Sequence, residues 1–152
     1  MTDFNRIFID TNPFIYLLDS KNEYTEKMEF IMDKLTENDC VLYSSPITVA
    51  EYMVHPYKEN CPEKIKHFLS FIEDANIKII DINTEIAAMS SLTRAKYTAF
   101  KGMDSLQLAA AEYSKCDMIL TNDKQLCQYK EIHCMMIDEC FQYLALVDKD
   151  EG

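Results

Sequence analysis

Short apolar runs alternate along this chain with longer amphipathic stretches, and that alternation restricts the possible folds more than any other feature. Ile7-Phe8-Ile9 and Ile77-Lys78-Ile79-Ile80 are near-continuous apolar runs, as in strands covered on both faces. Strands are predicted over 6–10, 40–44, 77–81, 117–121 and 133–137. Helices are predicted over 13–19, 23–38, 46–56, 62–75, 84–98, 103–115, 123–129 and 138–146. In the second of these, Tyr24, Met28, Ile31, Met32 and Leu35 recur at helical spacing with Glu, Lys and Asp between them. Strands alternating with helices need crossover connections, which give a mostly parallel sheet between helical layers. The expected class is α/β, a three-layer α/β/α fold with a mostly parallel central sheet of about five strands.

At 152 residues the chain is expected to form a single domain, 1–152, with a core over about 5–137 and a C-terminal helix and short tail over 138–152. Only Asp148-Lys149-Asp150-Glu151-Gly152 has a composition suited to disorder. No apolar run approaches the roughly 20 residues that span a bilayer. The first residues lack a basic segment followed by an apolar one, so a cytoplasmic protein with no membrane partner is expected. Six cysteines at 40, 61, 116, 127, 134 and 140 contain no C-x-x-C pair and read as reduced, buried thiols. His55, His67 and His133 show no zinc-ligand spacing to them.

Four acids stand against apolar runs: Asp10 closes Arg6-Ile7-Phe8-Ile9, Glu51 interrupts Ile47-Thr48-Val49-Ala50 and Tyr52-Met53-Val54, Asp104 precedes Ser105-Leu106-Gln107-Leu108, and Asp123 follows Met118-Ile119-Leu120-Thr121-Asn122. Asp10 and Asp123 fall at the carboxyl ends of predicted strands, where open α/β sheets bind ligands. Glu51 falls one turn into a helix opened by Ser45 as N-cap and Pro46 at the first helical position. Asp104 falls in the first turn of another helix. Carboxylates brought together repel one another unless a cation or proton intervenes, so four on one rim point to a divalent-metal site. Taken singly, three have simpler explanations. Asp10 can solvate a strand end before the helix start Asn12-Pro13, and Asp104 and Asp123 can answer a helix dipole, worth about 0.3–1 kcal/mol each. Glu51, placed mid-helix among apolar neighbours, has no helix-start role and either reaches solvent or faces a polar partner.

The ordered set Ile9-Asp10-Thr11-Asn12, Ser45-Pro46…Glu51, Phe100-Lys101-Gly102-Met103-Asp104-Ser105-Leu106-Gln107-Leu108-Ala109 and Leu120-Thr121-Asn122-Asp123-Lys124-Gln125-Leu126 resembles the PIN-domain ribonucleases, specifically the toxin type of bacterial and archaeal toxin–antitoxin pairs. The resemblance runs from Ile7 to about Ile137 and departs where Gly102-Met103 stands for the Thr-Pro of many relatives. It implies that Asp10, Glu51, Asp104 and Asp123 are the catalytic, metal-binding acids, with Asn12 and Thr121 orienting them. It further implies an RNA substrate, a cognate antitoxin and a second copy of the chain as partners. An all-carboxylate donor set suits Mg²⁺ or Mn²⁺. Lys101 is the residue placed to touch substrate phosphate, and also suits a solvated loop. Tyr16, Tyr52 and Tyr57 are offered for base stacking and Met28, Phe30 and Met32 for a contact surface, against ordinary packing for both sets.

Charge opposes this reading. With 26 acids against 15 bases the net charge is −11, and −7 without the four acids, which leaves no basic face evident. A catalytically silent PIN domain acting as an RNA- or protein-binding module is the alternative. A receiver domain would need a second acid beside Asp10 and a lysine after the fifth strand, and a haloacid-dehalogenase phosphatase would need Asp where Asn12 stands. No G-x-G-x-x-G cofactor loop exists.

Overall fold

The computed structural model describes residues 1–152 and contains five strands and seven helices. They run β1 (Arg6–Ile9), α1 (Thr11–Leu18), α2 (Thr25–Glu37), β2 (Val41–Ser44), α3 (Pro46–Lys58), α4 (Pro62–Asp74), β3 (Lys78–Ile79), α5 (Thr84–Lys96), α6 (Gly102–Tyr113), β4 (Met118–Thr121), β5 (His133–Met136) and α7 (Ile137–Glu151). The strand order is β3-β2-β1-β4-β5, and every pairing is parallel. The chain therefore builds outward from β1 through β2 to β3, then returns to lay β4 on the other side of β1. That reversal opens a crevice beyond the carboxyl ends of β1 and β4, the position where open α/β sheets bind ligands.

Side-chain alternation along β1 divides the core in two. Ile7 and Ile9 enter a cluster with Phe14 of α1, Met28, Ile31 and Leu35 of α2, Tyr52 of α3, Phe68 of α4 and Leu144 of α7. Phe8 faces the other way, into Ile86 of α5 and Leu108 and Ala109–Ala111 of α6. Three layers result, because a strand puts successive side chains on opposite faces. The run of small residues in α6 lets that helix lie close on the sheet. At the floor of β1, Arg6 stacks over Tyr43, 4.8 Å from the ring centre, and its guanidinium donates to Ser114 O.

Three local expectations are corrected. The predicted helix 123–129 is a turn followed by one 3₁₀ turn, Leu126–Gln128. The Asp123 carboxylate accepts the Gln125 N–H at 3.0 Å, fixing a turn in place of a helix start. The last helix extends to Glu151 instead of ending at 146 before a disordered tail. Lys34 of α2 reaches Asp148 at 2.8 Å and Lys27 reaches Asp138 at 2.6 Å, tying α7 along α2. β3 holds two residues, Lys78 and Ile79, of the predicted 77–81, paired with Tyr43 and Ser44 of β2. Of the residues offered for a contact surface, Met28 and Met32 take the packing role, turned into the core, and Phe30 packs against Phe141. All six cysteines are free, with Cys116 and Cys140 buried and the others partly so. No helix is long and apolar enough to cross a membrane.

Candidate active site at the strand-order reversal

Asp10 follows the last residue of β1, and its N–H donates to Leu120 O of β4 at 3.0 Å. This places its side chain over the crevice. It precedes α1 without capping it. One carboxylate oxygen accepts the Thr121 hydroxyl at 2.8 Å, and the other accepts Gln107 Nε2 at 3.3 Å. Burial raises its pKa above the ordinary value despite these bonds, and the Asp104 charge adds to the rise.

Glu51 projects from the second turn of α3, whose start is set by Ser45 accepting the Ile47 N–H at 3.1 Å and by Pro46 at its first position. Its carboxylate accepts the Thr11 hydroxyl at 2.7 Å and is partly withdrawn from solvent, although the residue as a whole is exposed. Its pKa is also raised, chiefly by withdrawal from solvent, then by Asp10 and Asp104. Asp104, in the first turn of α6, is thus one of three acids within electrostatic reach of one another. None of the three is in an ion pair with a lysine, arginine or histidine.

Asp123 is held differently. Its N–H donates to Thr121 Oγ1 at 3.0 Å, and its carboxylate is engaged with Gln125 in its own turn. Its charge is not among those that shift Glu51. Asn12 accepts the Asn122 N–H at 2.9 Å, so it fastens the β4 turn to α1 and touches no acid. Lys101, exposed, immediately precedes α6. Of the tyrosines, Tyr52 is buried and stacked on Phe68 with ring centres 4.0 Å apart, so it is removed from any base-stacking role. Tyr16 packs against Tyr24, while Tyr57 is exposed.

Gln107 is the residue that sequence reasoning passed over. It is 3 % exposed and joins α6 to the rest of the site. Its amide nitrogen also donates to Thr48 at 2.8 Å, and its amide oxygen accepts from Ser45. Thr48 in turn accepts from Thr11 at 3.3 Å. A buried amide bonded on both ends fixes its neighbours, since leaving any partner unpaired costs about 1–3 kcal/mol. The available signal was spacing: Gln107 is three residues after Asp104 on one helix face, polar among Leu and Ala.

As the side chains stand, no three His, Cys, Asp or Glu groups converge closely enough to enclose a metal ion. The donor chemistry nevertheless fits a hard cation. A buried carboxylate beside two further acids, with no basic partner, is the charge arrangement that a divalent ion relieves.

The profile of the PIN domain family matches residues 7–132. Solved structures share the fold. VapBC2 from Rickettsia felis bound to a promoter DNA fragment aligns with TM-score 0.72 at 15% identity, covering 86% of this chain and 98% of that one. A toxin–antitoxin complex from Klebsiella pneumoniae gives 0.65 at 22% identity over 86% and 97%. Mycobacterium tuberculosis VapC20, described as a sarcin–ricin-loop-cleaving toxin, gives 0.65 at 11% identity over 84% and 98%. A search of curated proteins found no match. The chain belongs to the PIN domain family.

Proposed function

We propose that this chain is a metal-dependent endoribonuclease hydrolysing phosphodiester bonds of single-stranded or structured RNA, and the toxin of a toxin–antitoxin pair. The observation that carries the reading is the gathering of Asp10, Glu51 and Asp104 where the strand order reverses, with no cationic side chain paired to any of them. Asp10, Glu51 and Asp104 would hold Mg²⁺ or Mn²⁺ directly or through water, and Asp123 would complete the set. An open acid cluster suits Mg²⁺, which keeps several waters and takes as few as one or two carboxylates. When bound, the ion would activate water and offset phosphate charge.

The chain's own residues do the positioning. Thr121 and Gln107 hold the two oxygens of Asp10, and Thr11 sets Glu51 on the opposite wall. Asn12 steadies the turn that carries Asp123. Lys101 would contact a substrate phosphate beside Asp104. An RNA loop or single strand fits an open crevice because its backbone is reachable.

An antitoxin and a second copy of the chain are proposed partners in the cytoplasm. The K. pneumoniae neighbour is, by its description, a toxin–antitoxin complex, and the R. felis neighbour is VapBC2 bound to promoter DNA. The net charge of −11 favours one other reading, a silent RNA- or protein-binding module.

Incubating a mixed cellular RNA pool with the purified protein in Mg²⁺, Mn²⁺ or EDTA, beside Asp104→Asn, separates the two. The ribonuclease reading expects cleavage with either metal, none in EDTA and none by the variant. A folded protein that cleaves nothing, or a variant as active as the parent, would sink it.

A further inference from the structure

The negative charge of this chain is unevenly spread. Residues 94–130 hold six Lys and Arg against four Asp and Glu, while the remainder holds nine against 22. Two of the four acids are Asp104 and Asp123. The other two are used inside the fold: Asp117 accepts the Asn5 and Arg6 N–H groups, and Glu112 accepts the Tyr129 hydroxyl. Of the six bases, Lys96 pairs with Glu131, and Lys115 lies before β4 at the opposite end of the sheet. Arg94, Lys101, Lys124 and Lys130 remain, all exposed and none in an ion pair.

These four cations stand at two adjoining loops: Arg94 is in the last turn of α5, Lys101 ends the loop that follows it, and Lys124 and Lys130 lie between β4 and β5. Residues 97–101 join the end of α5 to the start of α6, so Arg94 shares a surface cleft with Phe100, Gly102 and Ser105. Lys124 and Lys130 line a second cleft with Gln125 and Gln128. The loops are tied together: Gln125 Nε2 donates to Ala99 O at 3.1 Å, and the Lys130 N–H donates to the Tyr97 hydroxyl oxygen at 3.1 Å. Asp104 and Asp123 border the same two loops. On the opposite flank, the two basic side chains that share a cleft with Glu51 are already engaged by acids. Lys64 is held by Asp19 at 3.1 Å and Glu59 at 2.7 Å, and His55 by Glu59 at 2.9 Å.

A polyanion is repelled by clustered carboxylates and must be held by cations to one side of them. We infer that Arg94, Lys101, Lys124 and Lys130 form the track that binds the phosphodiester backbone of single-stranded RNA, so that the strand lies along the α5–α6 and β4–β5 loops and not along α3–α4. The assignment rests on the ribonuclease reading above. Contacts of this kind position a strand without reading its bases, so they act alike on all sequences and weaken with salt.

The test is fluorescence anisotropy of a labelled single-stranded RNA of about 12 nucleotides, in Mg²⁺ and an Asp104→Asn background, across a salt series. Replacing all four cations with Gln should weaken binding at least about tenfold at low salt, and should flatten the slope of log K against log salt by about 3, roughly 0.7 per lost phosphate contact. Lys58→Gln/Lys66→Gln/Lys115→Gln should change neither. Equal losses from both sets would mean diffuse charge and overturn the track, as would no wild-type binding. Displacement by polyglutamate as effective as by RNA would make the surface a protein-docking site and also overturn it. Failure of the ribonuclease reading shows separately, as RNA bound through these four residues by a wild-type chain that never cleaves it. Circular dichroism of both exposed-residue variants confirms that each is folded.

Discussion

Asp10 and Asp123 leave neighbouring parallel strands at the same rim, yet the fold treats them differently. Asp10 is withdrawn from water, gripped at both oxygens by side chains from β4 and α6, and its pKa is pushed up by burial. Asp123 spends its carboxylate on its own turn. One acid is held by three segments of the chain and the other by one. The Asp10 side of the crevice is thus held by side chains from distant segments, and the Asp123 side by a local turn.

The sharpest way to break that contrast is to neutralise each acid without changing its shape. Asp10→Asn should abolish cleavage, a loss on the order of 10³-fold, since several kcal/mol of ion and transition-state stabilisation go with it. Asp123→Asn keeps an oxygen for the Gln125 N–H, so the turn survives, and the loss should be only about tenfold, in the lower range for groups that orient a metal site. Single-turnover rates at saturating Mg²⁺ decide the matter. Equal losses would show that Asp123 belongs to the same preformed set and that the asymmetry has no chemical meaning.

Next in size is the grip itself. Gln107→Leu leaves Asp10 with one side-chain donor and strips Ser45 and Thr48 of a buried partner. Stability should fall by about 1–3 kcal/mol, and cleavage by about 10–100-fold. Urea unfolding and initial rates measure the two effects separately. A variant as stable and as active as the parent would mean that Asp10 is positioned by Thr121 and its backbone alone.

Gln107 also marks what a linear reading can and cannot give. The strands, the parallel sheet and the helix start at Ser45-Pro46 were legible because hydrophobic period and N-cap chemistry are local signals. The acids were legible as a pattern, because carboxylates against apolar runs need a reason. Gln107 was not, since a single amide in an Ala-rich helix acquires its role only when Ser45 and Thr48, about 60 residues earlier, fold against it. The extension of α7 past residue 146 depended in the same way on Lys34 and Asp148, which are 114 residues apart. The helix predicted over 123–129 failed at Asp123 for the converse reason. Its carboxylate found a backbone N–H two residues on, and a local turn outcompeted helix propensity.

The smallest effect concerns the metal-free protein. Asp10 has a folded-state pKa above the ordinary 3.8 because burial disfavours its charged form, and Asp104 adds to that. The folded chain therefore holds this proton more tightly than the unfolded chain does. At pH below the unfolded value the group imposes no penalty. As pH rises from there through the folded pKa, the penalty develops and stability declines. Glu51 shifts in the same direction, from an ordinary 4.5, and contributes with the same sign. Asp10→Asn cannot ionise, so in EDTA at neutral pH it should melt above the wild type, with the gap closing as pH falls toward 4. Adding Mg²⁺ should raise the wild-type Tm more than the variant's, because only the wild type regains an ion for its stranded carboxylate. A variant that melts lower than the wild type in EDTA would show that the Thr121 and Gln107 bonds already satisfy Asp10 without an ion, and the contrast with Asp123 would then be one of packing alone.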